Sequence, residues 1–508
     1  MSRFGSTDLL IVVAYLLGVT AWGTWLGRGQ RGGREYFLGN RELPWGAVML
    51  SVVATETSTL TFLSIPGVAY LGTLAFLQLA AGYVAGRIVV ARLLLPAYYE
   101  GELTTAYELL ETRFGPTTRR FTSGIFMFTR LLADSVRLFA TAIPLALLTG
   151  WSYSASILLI GGATLLYTYA GGIRAVVWVD AVQMGLYMAG GLLAAAFLQQ
   201  MVPGGWGYVA ARAAEAGKLV LVDPSPDLRL PYTLWAGLLG GAFLSMGSHG
   251  TDQLIVQRLL TCRDFAASRR ALIGSGIVVL FQFALFLALG LGLWAFYGGR
   301  EFVHADEIFS RFIVEELPAG LRGLLLAGVF AAAMSSLSSS INSLASATTY
   351  DYWEAWRGRK AGERARLAAG RAFSLGWAGL LVGGAILFIP LGRETTAVEV
   401  ALGIASLVYG GLLGAFALAL FVSRARQAHA ITGIVCGIVA VSGIWAAGRL
   451  SERPLLAWPW YVLLGSAITF AVGLALSALP PRSPWKNHGG PRVGPAEEIP
   501  ETRRAMRR

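Results

Sequence analysis

Residues Ser51–Tyr70 read SVVATETSTLTFLSIPGVAY, and Gly241–Arg258 read GAFLSMGSHGTDQLIVQR. Each begins as an apolar, membrane-length segment and is interrupted in mid-span. The first carries Thr55-Glu-Thr-Ser-Thr with Pro66-Gly67 beyond, and the second carries Gly247-Ser-His-Gly-Thr-Asp at similar depth. Hydrocarbon offers no hydrogen bonds, so backbone freed from a helix there must be buried in protein or line a cavity. Two broken spans in matching positions of a chain's two halves point to a transporter built from inverted repeats, with its site at the breaks. Ordinary kinked helices are the plainer reading, but the polar clusters coincide with both breaks.

A third stretch, AAAMSSLSSSINS at Ala331–Ser343, lies inside another apolar segment. At 100° per residue, Ser335, Ser339, Asn342 and Ser346 fall on one face, flanked by Ser338 on one side and by Ser336 and Ser343 on the other. Met334, Leu337, Ile341 and Leu344 take the opposite face. Small hydroxyl residues serve as helix–helix glue in membranes. With two broken helices nearby, a ladder of oxygens for an ion is the stronger reading.

The rest of the chain agrees with a membrane protein. Its 508 residues are 55% hydrophobic and 14% charged, with a mean hydropathy of +0.59. That places it among polytopic membrane proteins. The net charge of +12 comes from Arg clusters in short connections, which is a topology signal rather than a nucleic-acid surface. Two cysteines make no disulfide framework, and four scattered histidines make no metal site. No Walker A loop occurs, so ATP-driven pumping is not indicated. No paired carboxylates or His cluster suggests an intramembrane enzyme, and a passive channel or uniporter would need no ion ladder.

Segments long enough to span occur about thirteen times. They fall near 8–27, 44–71, 74–97, 120–149, 151–170, 173–200, 231–257, 270–298, 320–349, 370–391, 396–422, 428–448 and 458–480. The first resembles a signal peptide in length, but it is followed by Arg28, Arg31, Arg34 and Arg41 and has no small-residue cleavage site. It reads as a transmembrane helix with its N-terminus outside, which puts most Lys and Arg in inside connections. The expected organisation is a first helix and loop (1–43), repeat one (44–200), an extracellular loop (201–230) and repeat two (231–422). Two further helices (423–481) and a disordered basic cytoplasmic tail (482–508) complete it. The implied location is the plasma (inner) membrane, multi-pass, with a cytoplasmic C-terminus.

Tyr167–Gln183 (YTYAGGIRAVVWVDAVQ), His249–Arg258 (HGTDQLIVQR), Ala331–Ser343 and, more weakly, Ala54–Gly67 (ATETSTLTFLSIPG) resemble the sodium:solute symporter family. Ile173 stands where the family prefers Leu, Met or Phe. The resemblance implies an all-α fold of the leucine-transporter type, with five-plus-five inverted repeats and two broken helices. It implies sodium as the coupling ion with no cofactor, and a small organic solute as cargo. It also implies a main sodium site from the carbonyls of Ala54, Thr57 and Ala332 and the hydroxyls of Ser335 and Ser336. Neutral oxygen ligands suit a hard monovalent ion that must be released again. A second site would use Asp180, Ser335, Ser338 and Ser339; the alternative for Asp180 is pairing with Arg174.

Candidate substrate liners are Ser58, Thr59, Thr61, Gln78, Arg137, Ser245, His249 and Gln282. His249 reads as a contact, gate or packing residue, and Asp252 and Gln253 as helix-end polar groups. Arg130, Asp134 and Arg137 share one face of an apolar helix. Arg137 lies deepest, and its guanidinium fork matches a carboxylate, against the alternative of a neutral sugar or polyol.

Overall fold

The computed structural model describes residues 5–479 apart from 102, 303–304, 358–361, 391–396 and 452. The expected tail at 482–508 lies outside the described residues. Among them the secondary structure is helical, with one isolated β-bridge between Leu43 and Cys262. Among the described residues eight helices are long and apolar enough to cross a membrane, or nine with one bent pair counted as a span.

The chain opens with α1 (Ser6–Leu26). The first broken segment is α2 (Trp45–Glu56) followed by α3 (Thr59–Leu71), bent by 62°. Thr57 and Ser58 are both extended, at φ −81°, ψ 97° and φ −85°, ψ 168°. Ser and Thr side chains compete with the helix for backbone groups, and here Ser58 Oγ caps α3 by accepting from Thr61 N–H at 3.4 Å. The break thus falls within the Thr/Ser run; Pro66 sits inside α3.

Next come α4 (Phe76–Leu93), α5 (Pro116–Thr149) and α6 (Tyr153–Met201). The two spans expected at 151–170 and 173–200 lie within α6 as two helices that meet at a kink with no loop between them. The seam is Gly172, at φ 52°, ψ −153°. A Cβ added there would lie 2.4 Å from the Tyr36 carbonyl oxygen, so only glycine fits both the backbone and the contact.

The second broken segment is α7 (Gly241–Gly250), entered through a π-turn at Ala236–Gly240, then α8 (Gln253–Leu259). Asp252 is the N-cap of α8, accepting from Leu254 N–H at 2.9 Å. The remaining long elements are α9 (Phe265–Phe296), α10 (Leu321–Ala347), α11 (Glu363–Leu387), α12 (Ala397–Phe421), α13 (Gln427–Leu450) and α14 (Trp460–Ala478).

The serine-rich helix α10 is the centre of the molecule. Of its most apolar stretch 94% is buried, against 22% for α1. It packs against α1, α5, α6 and α11, and touches α2, α3 and α8. Its hydroxyls therefore face protein rather than lipid. Asp8 of α1 caps its start from outside the helix: Oδ1 accepts from Gly320 N–H at 2.8 Å and Gly323 N–H at 2.9 Å.

Candidate functional site

The break in the first segment releases carbonyls beside α10. Helical bonding ends with Thr57 N–H to Val53 O at 2.9 Å and restarts with Phe62 N–H to Ser58 O at 3.0 Å. Ala54 and Thr57 are buried at that interruption, and Ala332, Ser335 and Ser336 are buried on α10. Ser336 Oγ has no hydrogen-bond partner among the described residues; Ser335 Oγ has none of ordinary geometry, with the Asp180 carboxyl in its vicinity. Thr57 is held in place by Gln282 of α9, through Thr57 Oγ1 to Gln282 Oε1 at 3.0 Å and Gln282 Nε2 to Thr57 Oγ1 at 2.8 Å.

Asp180 of α6 lies beside Ser335, and its partner is Arg258. The guanidinium donates to Asp180 Oδ2 at 3.1 Å, and both side chains are fully buried. Ser51 Oγ donates to the same oxygen at 2.6 Å, and Arg258 also bonds Ser51 and Ser339. Arg174 is exposed. Its six-residue spacing from Asp180 puts the two about 120° from a common helix face. The pairing with Arg174 is thus replaced by a long-range one. Ser338 and Ser339 both return their hydroxyls to the Ser335 carbonyl, at 3.0 and 2.6 Å. Further along the stripe, Asn342 accepts from Gln257 Nε2 at 2.7 Å, fastening α8 to α10. The stripe therefore supplies interhelical bonds near Asn342.

A cavity of about 830 Å³ descends to the breaks from the end of the bundle that carries the 223–234 and 449–461 connections. Of the expected liners, Ser58, Thr61, Arg137, Ser245 and His249 face it. Three others turn elsewhere. Thr59 Oγ1 donates to the Val329 carbonyl at 3.2 Å, and Gln282 is committed to Thr57. Gln78 holds the connection above, donating to the Tyr232 carbonyl at 3.1 Å and accepting from Asp223 N–H at 3.4 Å.

Arg137 is 3.3 Å from Asp134, which also pairs with Arg130 at 3.5 Å and accepts from Ser340 Oγ at 2.5 Å. Arg130 is further bonded to Asp252 and to Tyr409. Arg130 is thus well compensated, whereas Arg137 shares one acid and keeps an 18% exposed side chain on the cavity. Sequence reading left Glu56 without a role. It faces the cavity, pairs with the enclosed Arg87, and lies 3.6 Å from His249 Nε2. The signal was a carboxylate at mid-membrane, which requires a counter-ion.

At the opposite end of the bundle a charged cavity of about 650 Å³ is crossed by ion pairs. Arg119 joins Asp351 at 2.7 Å and Glu111, and Arg366 joins Glu354 and Glu363. A cavity thus reaches the breaks from one end, and the other end carries this set of ion pairs.

These features define a polytopic membrane transporter with its site at two helix breaks. The sodium:solute symporter family pattern matches residues 36–437, and the chain belongs to that family. It is therefore a sodium-coupled membrane carrier and not an enzyme. The chain is 29% identical over 477 residues to a sodium/sialic acid symporter of Aliivibrio fischeri, covering 92% of each. It is 29% identical to the human sodium/iodide cotransporter, covering 87% of this chain and 70% of that one. Human sodium-coupled monocarboxylate transporter 1 is 27% identical, with 84% and 70% covered. The solved structure of a substrate-bound, outward-open sodium-coupled sialic acid symporter, described as having a novel sodium site, matches with TM-score 0.84 at 26% identity. It covers 94% of this chain and 98% of that one.

Proposed function

We propose that this symporter imports a small organic solute bearing a carboxylate, driven by the inward sodium gradient through alternating access. The observation that carries the reading is Arg137. Its guanidinium faces the cavity with half a counter-ion, and an ionised group in a membrane protein's interior needs a partner. A guanidinium fork meets a carboxylate with two parallel bonds, which a neutral solute does not supply.

In this reading the chain forms thirteen spans. Residues 44–200 and 231–422 are inverted repeats of the leucine-transporter type, and 423–481 are peripheral helices. The N-terminus lies outside the inner membrane and the C-terminus in the cytoplasm, so the large cavity faces outward and the Arg119–Asp351 lattice closes the inside. The main sodium ion takes the carbonyls of Ala54, Thr57 and Ala332 with Ser335 and Ser336. The unpartnered Ser336 hydroxyl and the interrupted ladder support this set. A second ion takes Asp180 with Ser335, Ser338 and Ser339, and it must share Asp180 with Arg258.

The test is uptake into proteoliposomes with a panel of carboxylates, sugars and polyols, with sodium present, absent or replaced by lithium. Sodium-dependent uptake of carboxylates alone supports the reading, and uptake of neutral sugars or polyols instead overturns it.

A further inference from the structure

We propose that residues 223–234 form a rigid lid arm over the large cavity, pivoting at Gln78 and letting go of Ala457 at its tip when the cavity closes. The inference rests on the reading of that cavity as the solute's route and adds the device that covers it. The arm reads DPSPDLRLPYTL, and up to Thr233 it has no helix or strand. Its backbone is nonetheless bonded at every second residue. Asp223 Oδ1 accepts from Ser225 N–H at 2.9 Å, Ser225 Oγ from Asp227 N–H at 3.3 Å, and Asp227 Oδ1 from Arg229 N–H at 2.9 Å. Asp and Ser side chains make such turns with the backbone two residues on. Three in succession, with Pro224 and Pro226 fixing φ between them, stiffen the arm into one body. Arg229 closes the series, its Nε and Nη2 donating to the Asp227 carboxylate at 2.9 and 2.8 Å.

The two ends of the arm meet, as in an Ω-loop. Leu234 N–H donates to the Asp223 carbonyl at 2.7 Å, and Gln78 of α4 grips both sides of this neck through Tyr232 and Asp223. The neck is fixed in turn to the second broken helix. The chain passes from it through the π-turn into α7. A Cβ added to Gly82 or Gly86 of α4 would lie 2.2 Å from the Gly237 carbonyl oxygen or 2.3 Å from that of Ala242. The tip is held more lightly, by one backbone bond from Ala457 N–H, on the α13–α14 connection, to the Leu228 carbonyl at 2.8 Å. Water replaces such a bond at little cost, so the tip releases long before the neck does. In the docked position Leu228 and Leu230 are 51% and 43% exposed. Arg229, Pro231 and Tyr232 already line the cavity, whose wall also presents Trp445, Trp458 and Tyr461. Swinging inward seats the two leucines on those rings and takes apolar surface out of water.

The experiment places spin labels at the tip, Leu228→Cys, and on the α13–α14 connection, Leu455→Cys, in a Cys436→Ala background. Pulsed dipolar spectroscopy reads their separation in proteoliposomes without sodium, with sodium alone, and with sodium plus sialic acid, lactate, glucose or myo-inositol. The expected result is the docked separation together with a longer one, their ratio changing at least about twofold between conditions. A single separation in every condition overturns the lid. Bridging the same two cysteines with a short bis-thiosulfonate should cut uptake of those solutes that the unbridged protein carries by at least about tenfold, reversibly on reduction, while sodium binding is kept. Full uptake by the bridged protein overturns the lid and leaves the cavity reading standing. A bulky impermeant thiol reagent on Val68→Cys, which lines the cavity, separates the two readings, because uptake unhindered by it overturns the cavity as the solute's route. If none of the four solutes is carried, the label separations decide.

Discussion

Arg258 crosses from the second broken helix to Asp180 in the middle of α6, 3.1 Å away, with both side chains sealed from solvent. Ser51 of α2 and Ser339 of α10 join the same node, so four elements meet on one ion pair. Removing one partner of a buried pair leaves a bare charge, which costs roughly 3–5 kcal/mol. Asp180→Asn should therefore lower the thermal stability of the purified protein sharply. Arg174→Ala should stay within about 0.5 kcal/mol of wild type, as surface changes do. Adding Arg258→Met to Asp180→Asn should restore much of the stability. If Asp180 also holds an ion, sodium cooperativity in the double variant stays near one; cooperativity equal to wild type would remove Asp180 from the ion site.

The hydroxyl of Ser336 offers a cleaner case, because it has no hydrogen-bond partner among the described residues, whereas Ser335 lies beside the Asp180 carboxyl. Ser336→Ala leaves no orphaned partner and should cost less than about 1 kcal/mol of stability, and Ser335→Ala should cost more, because the Asp180 carboxyl loses a nearby donor. Half-saturation by sodium should rise about three- to tenfold, as expected for one lost oxygen in a weak neutral cage. Sodium-dependent fluorescence or uptake gives the number. An unchanged half-saturation in the double alanine variant counts against this ion site.

Asp8 caps a helix that is not its own. Gly320, the residue before α10, has no side chain to satisfy the first amides, and Asp8 Oδ1 accepts from Gly320 and Gly323 instead. Asp8→Ala should destabilise by about 1–2 kcal/mol, the usual worth of an N-cap. Asp8→Asn, which keeps one acceptor oxygen, should lose less. Thermal melting compares them; equal melting of Ala and Asn variants would mean that the carboxyl oxygen contributes nothing as a cap.

Both helix breaks were legible because Thr/Ser runs and Gly–His–Gly–Thr–Asp are poor helix formers set in apolar surroundings. The central place of α10 was legible too, since its hydroxyl stripe needs a polar neighbour on one side. The direction of single side chains was not. Thr59, Gln78 and Gln282 are polar residues in apolar spans, and nothing local distinguishes a cavity liner from a group bonded to a neighbouring helix. The partner of Asp180 is 78 residues away in the chain, so helical spacing suggested Arg174, on the wrong face. Glu56 stood in plain view within the first break, but its meaning depends on Arg87 and His249, which only folding brings to it. Gly172 shows the converse: the seam between two expected spans was visible as a glycine pair, while its lack of any loop depends on Tyr36 packing against it.

The last prediction separates two arginines of α5 that look equivalent in sequence. Arg130 and Arg137 flank Asp134 at three to four residues, and each is 3.3–3.5 Å from it. Arg130 has two more partners, Asp252 at the cap of α8 and Tyr409 of α12. It ties the second break to the surrounding helices, so Arg130→Gln strands a buried acid and should destabilise by about 3 kcal/mol or more. Loss of transport there would follow from loss of the fold. Arg137 has only its share of Asp134, which Ser340 and Arg130 still satisfy when Arg137 is gone. Arg137→Gln should therefore keep stability within about 1 kcal/mol, since the remaining acid stays hydrogen-bonded. Carboxylate uptake should fall at least about tenfold, because a charge-assisted bidentate contact is lost. Arg137→Lys should recover only part of it, since an ammonium presents no planar fork. Sodium binding without solute should be unchanged in both variants, because Arg137 is not among the ion's ligands. Full carboxylate transport by Arg137→Gln would remove Arg137 from carboxylate recognition, and sodium binding lost along with uptake would assign Arg137 to the scaffold.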